Sequence, residues 1–187
     1  MGAWIFLAIL VIVMVWTIAQ YNGLVSLRNQ VANGWKQIDV QLKRRHDLIP
    51  NLVNTVKGIM QFEQETLQKV VEARSAAMGA RGVKDSAAKE TALTDALSKF
   101  FVVVEQYPQL RSSENVSKLQ EELTSTENKI SFARQFYNDI ATKFNTAQQV
   151  FPTNLIAGTF GFQPSELFEI TVAAEREVPA VDLSLNK

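Results

Sequence analysis

The sequence holds one histidine and no cysteine, so reactive chemistry has few places to form. His46 is flanked by Arg45 and Asp47. An acid–base or metal site there needs partner ligands, and neither a second imidazole nor a thiolate exists to supply them. A structural or solvent-exposed histidine is the expectation. The pairs Glu63/Glu65 and Glu121/Glu122 have helical spacing but suit solvated faces better than general acid–base work. Glu166, Glu169, Glu175 and Glu177 gather into an acidic patch. A weak divalent-ion site is the alternative reading of that patch, although nothing resembles a calcium-binding loop. Neither a phosphate-cradling glycine loop nor a nucleophile elbow is present. The sequence thus predicts a protein that is not an enzyme, with no catalytic, cofactor-binding or metal-binding residue.

Nineteen basic and nineteen acidic residues cancel, which leaves no electrostatic footprint for nucleic acid. The missing cysteines do not fix a compartment, since such a chain folds on either side of a membrane. With 8 glycines and 5 prolines in 187 residues, long helices with few breaks are expected.

Gly2 to Ala19 carries no charge, and about 20 apolar residues at 1.5 Å each cross a hydrocarbon core of ~30 Å. Trp4, Trp16 and Tyr21 stand near its ends, where amphipathic rings favour the interface. Residues 1–22 therefore read as a transmembrane anchor that meets the phospholipid bilayer through residues 2–21. The rival reading is a cleaved signal peptide, with Thr17 and Ala19 as small residues before the cut, but the usual charged leader is missing. Arg28, Lys36, Lys43, Arg44 and Arg45 all follow the span and none precede it. The positive-inside rule then places the N-terminus outside and the soluble part in the cytoplasm.

Asn22-Gly23 reads as a loosening point. Beyond it, Val31, Trp35, Ile38, Leu42, Ile49, Leu52, Val56, Ile59, Val70 and Ala73 recur at helical spacing, in a series that also passes through Arg28, Arg45, Glu63 and Thr66. Pro50 falls inside this stripe, yet the phase is kept across it. That favours one long kinked helix from Leu24 to Ala77, with a true turn at Pro50 and a more compact four-helix bundle as the alternative. Met78 to Asp85 is the clearest break. A second helix from Ser86 is striped by Leu93, Leu97, Phe100, Val104 and Tyr107 and stops at Tyr107-Pro108. The third runs from Val116 through Leu119, Leu123, Thr126, Ile130, Ala133, Tyr137, Ile140, Phe144 and Ala147 to Phe151. Its unbroken alternation over about five heptads marks a bundle seam or a coiled-coil face. Pro152 ends it. Asn154 to Pro164 reads as an apolar loop whose Phe160 and Phe162 plug the bundle end, and Ser165 as the cap of a short last helix to Arg176. The fold class is all-α, an elongated up-and-down antiparallel bundle over residues 23–177 with an extended or disordered tail, 178–187.

Lys43-Arg44-Arg45 invites a lipid-headgroup role. On a straight helix, however, Lys43 stands roughly 33 Å beyond Tyr21. Arg45 lies on the stripe itself, which predicts a paired charge inside the bundle or between subunits, with Glu127 and Asp139 as partners from the third helix. Such a pair specifies register more than it adds stability.

The run from Trp35 to Arg45 (WKQIDVQLKRR), Asp47 to Val53, Val56-Lys57-Gly58, Ala73-Arg74 and Glu105 to Pro108 resembles the LemA family of bacterial membrane proteins. Leu119-Gln120, Thr126 to Ile130, Arg134 to Asn138, Phe151-Pro152 and Phe160 to Phe162 extend the likeness along nearly the whole chain, anchor included. The chain departs from the family pattern at 59–62, where an aromatic and a histidine are more usual before Glu63. The resemblance implies a single-span protein with a helical-bundle domain and supplies no established active site. Its motif positions, here Trp35, Asp39, Arg44, Arg45, Asp47, Pro50, Glu127, Arg134, Asn138, Phe160 and Phe162, are expected to serve packing, inter-helix polar pairing and assembly.

Together these features predict a membrane-anchored scaffold that forms a homo-oligomer and organises partners at the bacterial inner membrane. An adaptor or signalling module that presents its helical domain or tail to a membrane or cytoplasmic protein is the alternative.

Overall fold

The computed structural model describes residues 1–59 and 64–169. Its elements are α1 (Gly2–Ile59), α2 (Gln64–Met78), α3 (Gly82–Val104), α4 (Pro108–Arg111), α5 (Glu114–Gln149) and α6 (Thr153–Thr159). Among the described residues there is no strand, and the architecture is the expected all-α bundle.

α1 is one helix of 58 residues, about 87 Å long. It contains one segment long and apolar enough to cross a membrane, none of it buried, which suggests a single-pass membrane anchor. The loosening expected at Asn22-Gly23 is not there: both residues are helical. A helical glycine costs only about 1 kcal/mol, and burial of Leu24, the next residue, outweighs it. The apolar segment and the bundle thus share a single helix.

α5 runs antiparallel to α1. Thr153, just past its end, donates its hydroxyl to Gln20 Oε1 at 3.1 Å, Tyr137 lies against Gly34, and Glu127 faces Arg45. Every stripe position from Val116 to Ala147 is buried or half-buried, and only Phe151, beyond the helix end, is exposed. Thr126, the polar member, is fully buried and satisfies its hydroxyl on the Glu122 carbonyl at 2.7 Å. Ser113 caps the helix by accepting from the Val116 amide.

Two apolar clusters fill the bundle. The far one joins Ile49, Leu52 and Val56 of α1 to Leu67 and Val70 of α2, Leu93, Leu97 and Phe100 of α3, and Val116 and Leu123 of α5. The near one, closer to the apolar segment, joins Leu24, Val31 and Ile38 to Ile130, Tyr137 and Phe144, with Ile156 and Phe168 closing it. The far half is therefore four helices, up-down-up-down, and the near half is mainly α1 against α5.

Besides the break expected over Met78 to Asp85, which narrows to 79–81 because α3 starts at Gly82 and not at Ser86, three boundaries differ from the sequence expectation. The helix drawn from Leu24 to Ala77 is two helices. α2 packs back along α1, so that Arg74 reaches the backbone of His46, which a continuous helix would hold about 42 Å away. The stripe kept its phase because α2 buries its own apolar face in the same core, and phase alone does not report direction. Residues 60–63, which hold all but the first position of the stretch that departs from the family pattern and include Glu63, lie outside the described residues. The alternative turn at Pro50 is equally absent, since α1 passes through it.

Second, the loop expected over Asn154 to Pro164 contains α6. Gly161, at φ 67°, ends that helix in a Schellman arrangement: Phe162 N donates to Ala157 O and Gly161 N to Gly158 O. Third, residues 165–169 carry no helix, so Ser165 does not cap one. The remainder of that expected helix and the tail 178–187 lie outside the described residues.

Pro50 explains a contact. It has no N–H for the carbonyl four residues earlier, that of His46, and Arg74 Nε donates to this carbonyl instead, at 2.6 Å. Arg74→Ala is expected to cost about 1–3 kcal/mol, the penalty of a part-buried acceptor left unmade. In a Pro50→Ala background, which restores the helical donor, the cost is expected to shrink. Thermal unfolding in mild detergent measures both; equal losses in the two backgrounds would refute the substitution of side chain for backbone donor.

Candidate functional site

Between the two apolar clusters lies a layer of polar side chains. Arg45 is 2% exposed and Glu90 1%. Arg45 Nη2 donates to Thr94 Oγ1 at 2.8 Å, and Nη1 reaches Glu90 Oε2 at 3.4 Å. The other Glu90 oxygen is 2.7 Å from His46 Nε2. Glu127 Oε2 stands 2.9 Å from Arg45 Nη1; the approach is off the N–H axis, so this contact is an ion pair without hydrogen-bond alignment. Arg134 completes the charge balance of two arginines and two glutamates. Burial pushes its guanidinium below the usual arginine range, Glu127 draws it up, neighbouring Arg45 pushes it down again, and Glu90 draws it up. Its Nε and Nη2 are buried without a hydrogen-bond partner, and its Cζ lies 4.5 Å over the Phe168 ring, a cation–π contact.

Below this layer, α5 holds the segment after α6 as a strap. The Asn145 amide accepts from Ser165 N at 2.8 Å and donates to Ser165 O at 2.9 Å. One heptad earlier, Asn138 does the same to Phe168, accepting at 2.8 Å and donating at 3.0 Å. Each asparagine acts as a neighbouring strand's backbone would. Tyr137 adds its hydroxyl to Glu166 O at 2.7 Å, and burial, with the Glu166 charge behind it, raises the phenol above its usual value. Trp35 packs edge-on to Tyr137 and tilted on Phe168. Trp35 of α1 and Arg134 and Asn138 of α5 thus converge on one strap.

The other singled-out residues are placed differently. Asp39 and Asp47 are exposed, at the rim of a groove that reaches His46 and Glu90. Arg44 is exposed and 3.6 Å from Glu122. Asp139, offered as a partner of Arg45, is exposed on another face of α5. Phe162 packs near Tyr21 and Phe144 under the Arg28 guanidinium, whereas Phe160 reaches Tyr21 at 4.7 Å but stays largely exposed. Of the acidic patch, Glu166 sits 4.0 Å from Lys84, and Glu175 and Glu177 lie outside the described residues. Among the described residues no group of three or more His, Cys, Asp or Glu is arranged to hold a metal ion.

Sequence reasoning missed Glu90, Thr94, Arg74 and Asn145. Glu90 was findable: extending the α3 stripe back from Leu93 by three lands on it, an acid on an apolar face facing a base on the apolar face of α1.

The family whose pattern this chain matches is LemA, over residues 34–183. Protein LemA of Metamycoplasma hominis is 26% identical over 91% of this chain and 76% of that protein. Magnetosome protein MamQ 2 of Paramagnetospirillum magneticum is 23% identical, covering 85% of this chain and 68% of the relative. Magnetosome protein MamQ of Magnetospirillum gryphiswaldense is 22% identical over the same shares.

Arg45→Met strands the Glu90 carboxylate and is expected to cost about 3–5 kcal/mol. Adding Glu90→Gln should recover part of this, because a neutral amide still reaches His46; no recovery in the unfolding midpoint would show that stranded charge is not the cause. In the strap, Asn145→Ala should speed hydrogen exchange at the Ser165 amide and Asn138→Ala at the Phe168 amide. Each is expected to change by about fivefold, the equivalent of one hydrogen bond of about 1 kcal/mol. Unchanged protection at both amides would count against the pinning.

Proposed function

The chain belongs to the LemA family, and from the geometry of its domain we propose that it is a membrane-anchored, non-enzymatic scaffold that self-associates and organises partner proteins at the bacterial inner membrane. The division that goes with this reading is an anchor, 1–22, a bundle, 23–177, and a tail, 178–187. One observation carries the proposal. On the side of α1 and α5 away from α2 and α3, Val40, Phe132 and Phe136 are exposed together in a shallow groove rimmed by Lys36 and Lys129. Phe132 is 73% exposed. Two aromatic rings at i and i+4, beside a valine from the neighbouring helix, are costly to leave in water and mark an interaction surface. A second copy supplies the matching apolar face by two-fold symmetry.

The relatives support a membrane-associated role in general terms: one is named Protein LemA and others magnetosome proteins. The basic residues Arg28, Lys36 and Lys43 on one side of the span support an outside N-terminus and a cytoplasmic bundle. The adaptor alternative, where it relies on the tail, concerns residues outside those described.

The joint substitution Phe132→Asp with Phe136→Asp is expected to convert an oligomer into a monomer, measured by native mass in mild detergent and by crosslinking in vesicles. A wild-type chain that stays strictly monomeric at high concentration refutes self-association. Orientation has its own check: protease should cut the bundle in inverted vesicles and spare it in intact cells.

A further inference from the structure

Charge is absent from two stretches that the fold brings to one end. On α1 no charged residue occurs before Arg28, and from Phe144 to Ser165 none occurs between Lys143 and Glu166. In a chain with 20% charged residues, a second uncharged stretch of this length needs a reason. The antiparallel register, with Gly34 against Tyr137 and Gln20 against Thr153, sets Arg28 and Lys143 at the same height. The α1 stretch therefore ends at Arg28 on the level where the second stretch begins after Lys143, and Glu166 bounds the second stretch at its other end.

Below that level the surface is uncharged, with large apolar side chains standing among exposed amides such as Asn22, Gln149 and Asn154. Val150, Phe151, Leu155 and Phe160 are all exposed, Phe151 at 74% and Leu155 at 62%. They cluster where α1 leaves its apolar segment: Thr153 bonds Gln20, and the Phe160 ring is 4.7 Å from that of Tyr21. Ile156 and Ala157 turn inward on the bundle, so α6 packs one side on protein and presents the other. The belt from Gln20 to Arg28 is about 12 Å deep, so its lower part fits the interfacial layer, about 5–8 Å thick on each side of the ~30 Å hydrocarbon core, and its basic edge stands just above it. Exposed phenylalanine and leucine are stable there, and arginine and lysine at its outer edge suit anionic headgroups.

We infer that the α5–α6 corner and α6 form a second membrane contact, seated in the interface of the same bilayer that α1 crosses. This rests on the anchor reading of α1. The occupant is lipid because the patch adjoins the end of the apolar segment, at Gln20 and Tyr21. The bundle then stands on the membrane by two feet, α1 through it and α6 in its surface, and its tilt is set.

The chain has no cysteine, so single substitutions Ile12→Cys, Phe151→Cys, Leu155→Cys and Val102→Cys, all at exposed side chains, take one fluorescent label each. The full-length protein is reconstituted in vesicles of phosphatidylglycerol and phosphatidylcholine, with brominated lipid as one quencher and aqueous iodide as the other. The expected result is lipid quenching at 12, 151 and 155 with little iodide quenching, and the reverse at 102. Iodide quenching at 151 and 155 while 12 responds to lipid overturns the second contact and leaves the anchor standing. Protection of 151 and 155 from both quenchers means that protein covers the corner, and also overturns it. A label at 12 that lipid does not reach removes the anchor and this inference together.

Discussion

Arg45 occupies a position that hydrophobic periodicity assigns to the core, and a guanidinium withdrawn from water must find carboxylates or destabilise the fold by several kcal/mol. Glu90 from α3 and Glu127 from α5 both reach it, so three helices must agree on one level. Apolar stripes alone do not enforce such agreement. Leucine against leucine packs nearly as well after a slip of one turn, about 5.4 Å, whereas a slip of the ion layer strands charge. Fixing Arg45 against Glu127 carries the register down the α1–α5 seam to Gly34 under Tyr137 and Gln20 beside Thr153.

The same layer settles the α2–α3 hairpin. His46 offers its side chain to Glu90 and its carbonyl to Arg74, so one residue of α1 binds both arms. That carbonyl is free because Pro50 follows four residues later. A proline that breaks helices elsewhere here leaves α1 continuous and exposes an acceptor on the side where α2 packs. One missing N–H thus gives the hairpin an anchoring point on the long helix.

Most of the architecture was legible from periodicity. The α5 stripe named its buried face residue by residue, and Arg45 on the α1 stripe announced a buried charge with Glu127 and Asp139 offered as partners, of which Glu127 reaches it. Chain reversal was not legible, because Val70 and Ala73 of α2 continue the α1 phase although α2 runs the other way. α6 was hidden for a different reason. Seven residues are too few for a stripe, and its stop signal, Gly161, reads equally as loop. The strap had no periodic signature, since Asn138 and Asn145 hold backbone atoms, and a backbone partner leaves no trace in side-chain identity. Glu90 and Ser86 diluted the early α3 stripe, which hid the most informative acid in the bundle.

Height above the membrane links the parts. Because α1 has no flexible joint between its apolar segment and the bundle, each level of the seam keeps a set distance from Gln20. The register of Gly34 against Tyr137 places Phe132, Phe136 and Val40 about 24–30 Å above it. In the self-association proposed above, two copies anchored in one bilayer with the same orientation would present this patch at the same level. A two-fold axis along the membrane normal is the one two-fold operation that keeps both anchors in the bilayer with their N-termini on the same side, and it brings equal heights together. The rigid stem that limits how each copy moves therefore removes much of the orientational cost of pairing, and favours closed pairs in the membrane plane over open head-to-tail chains.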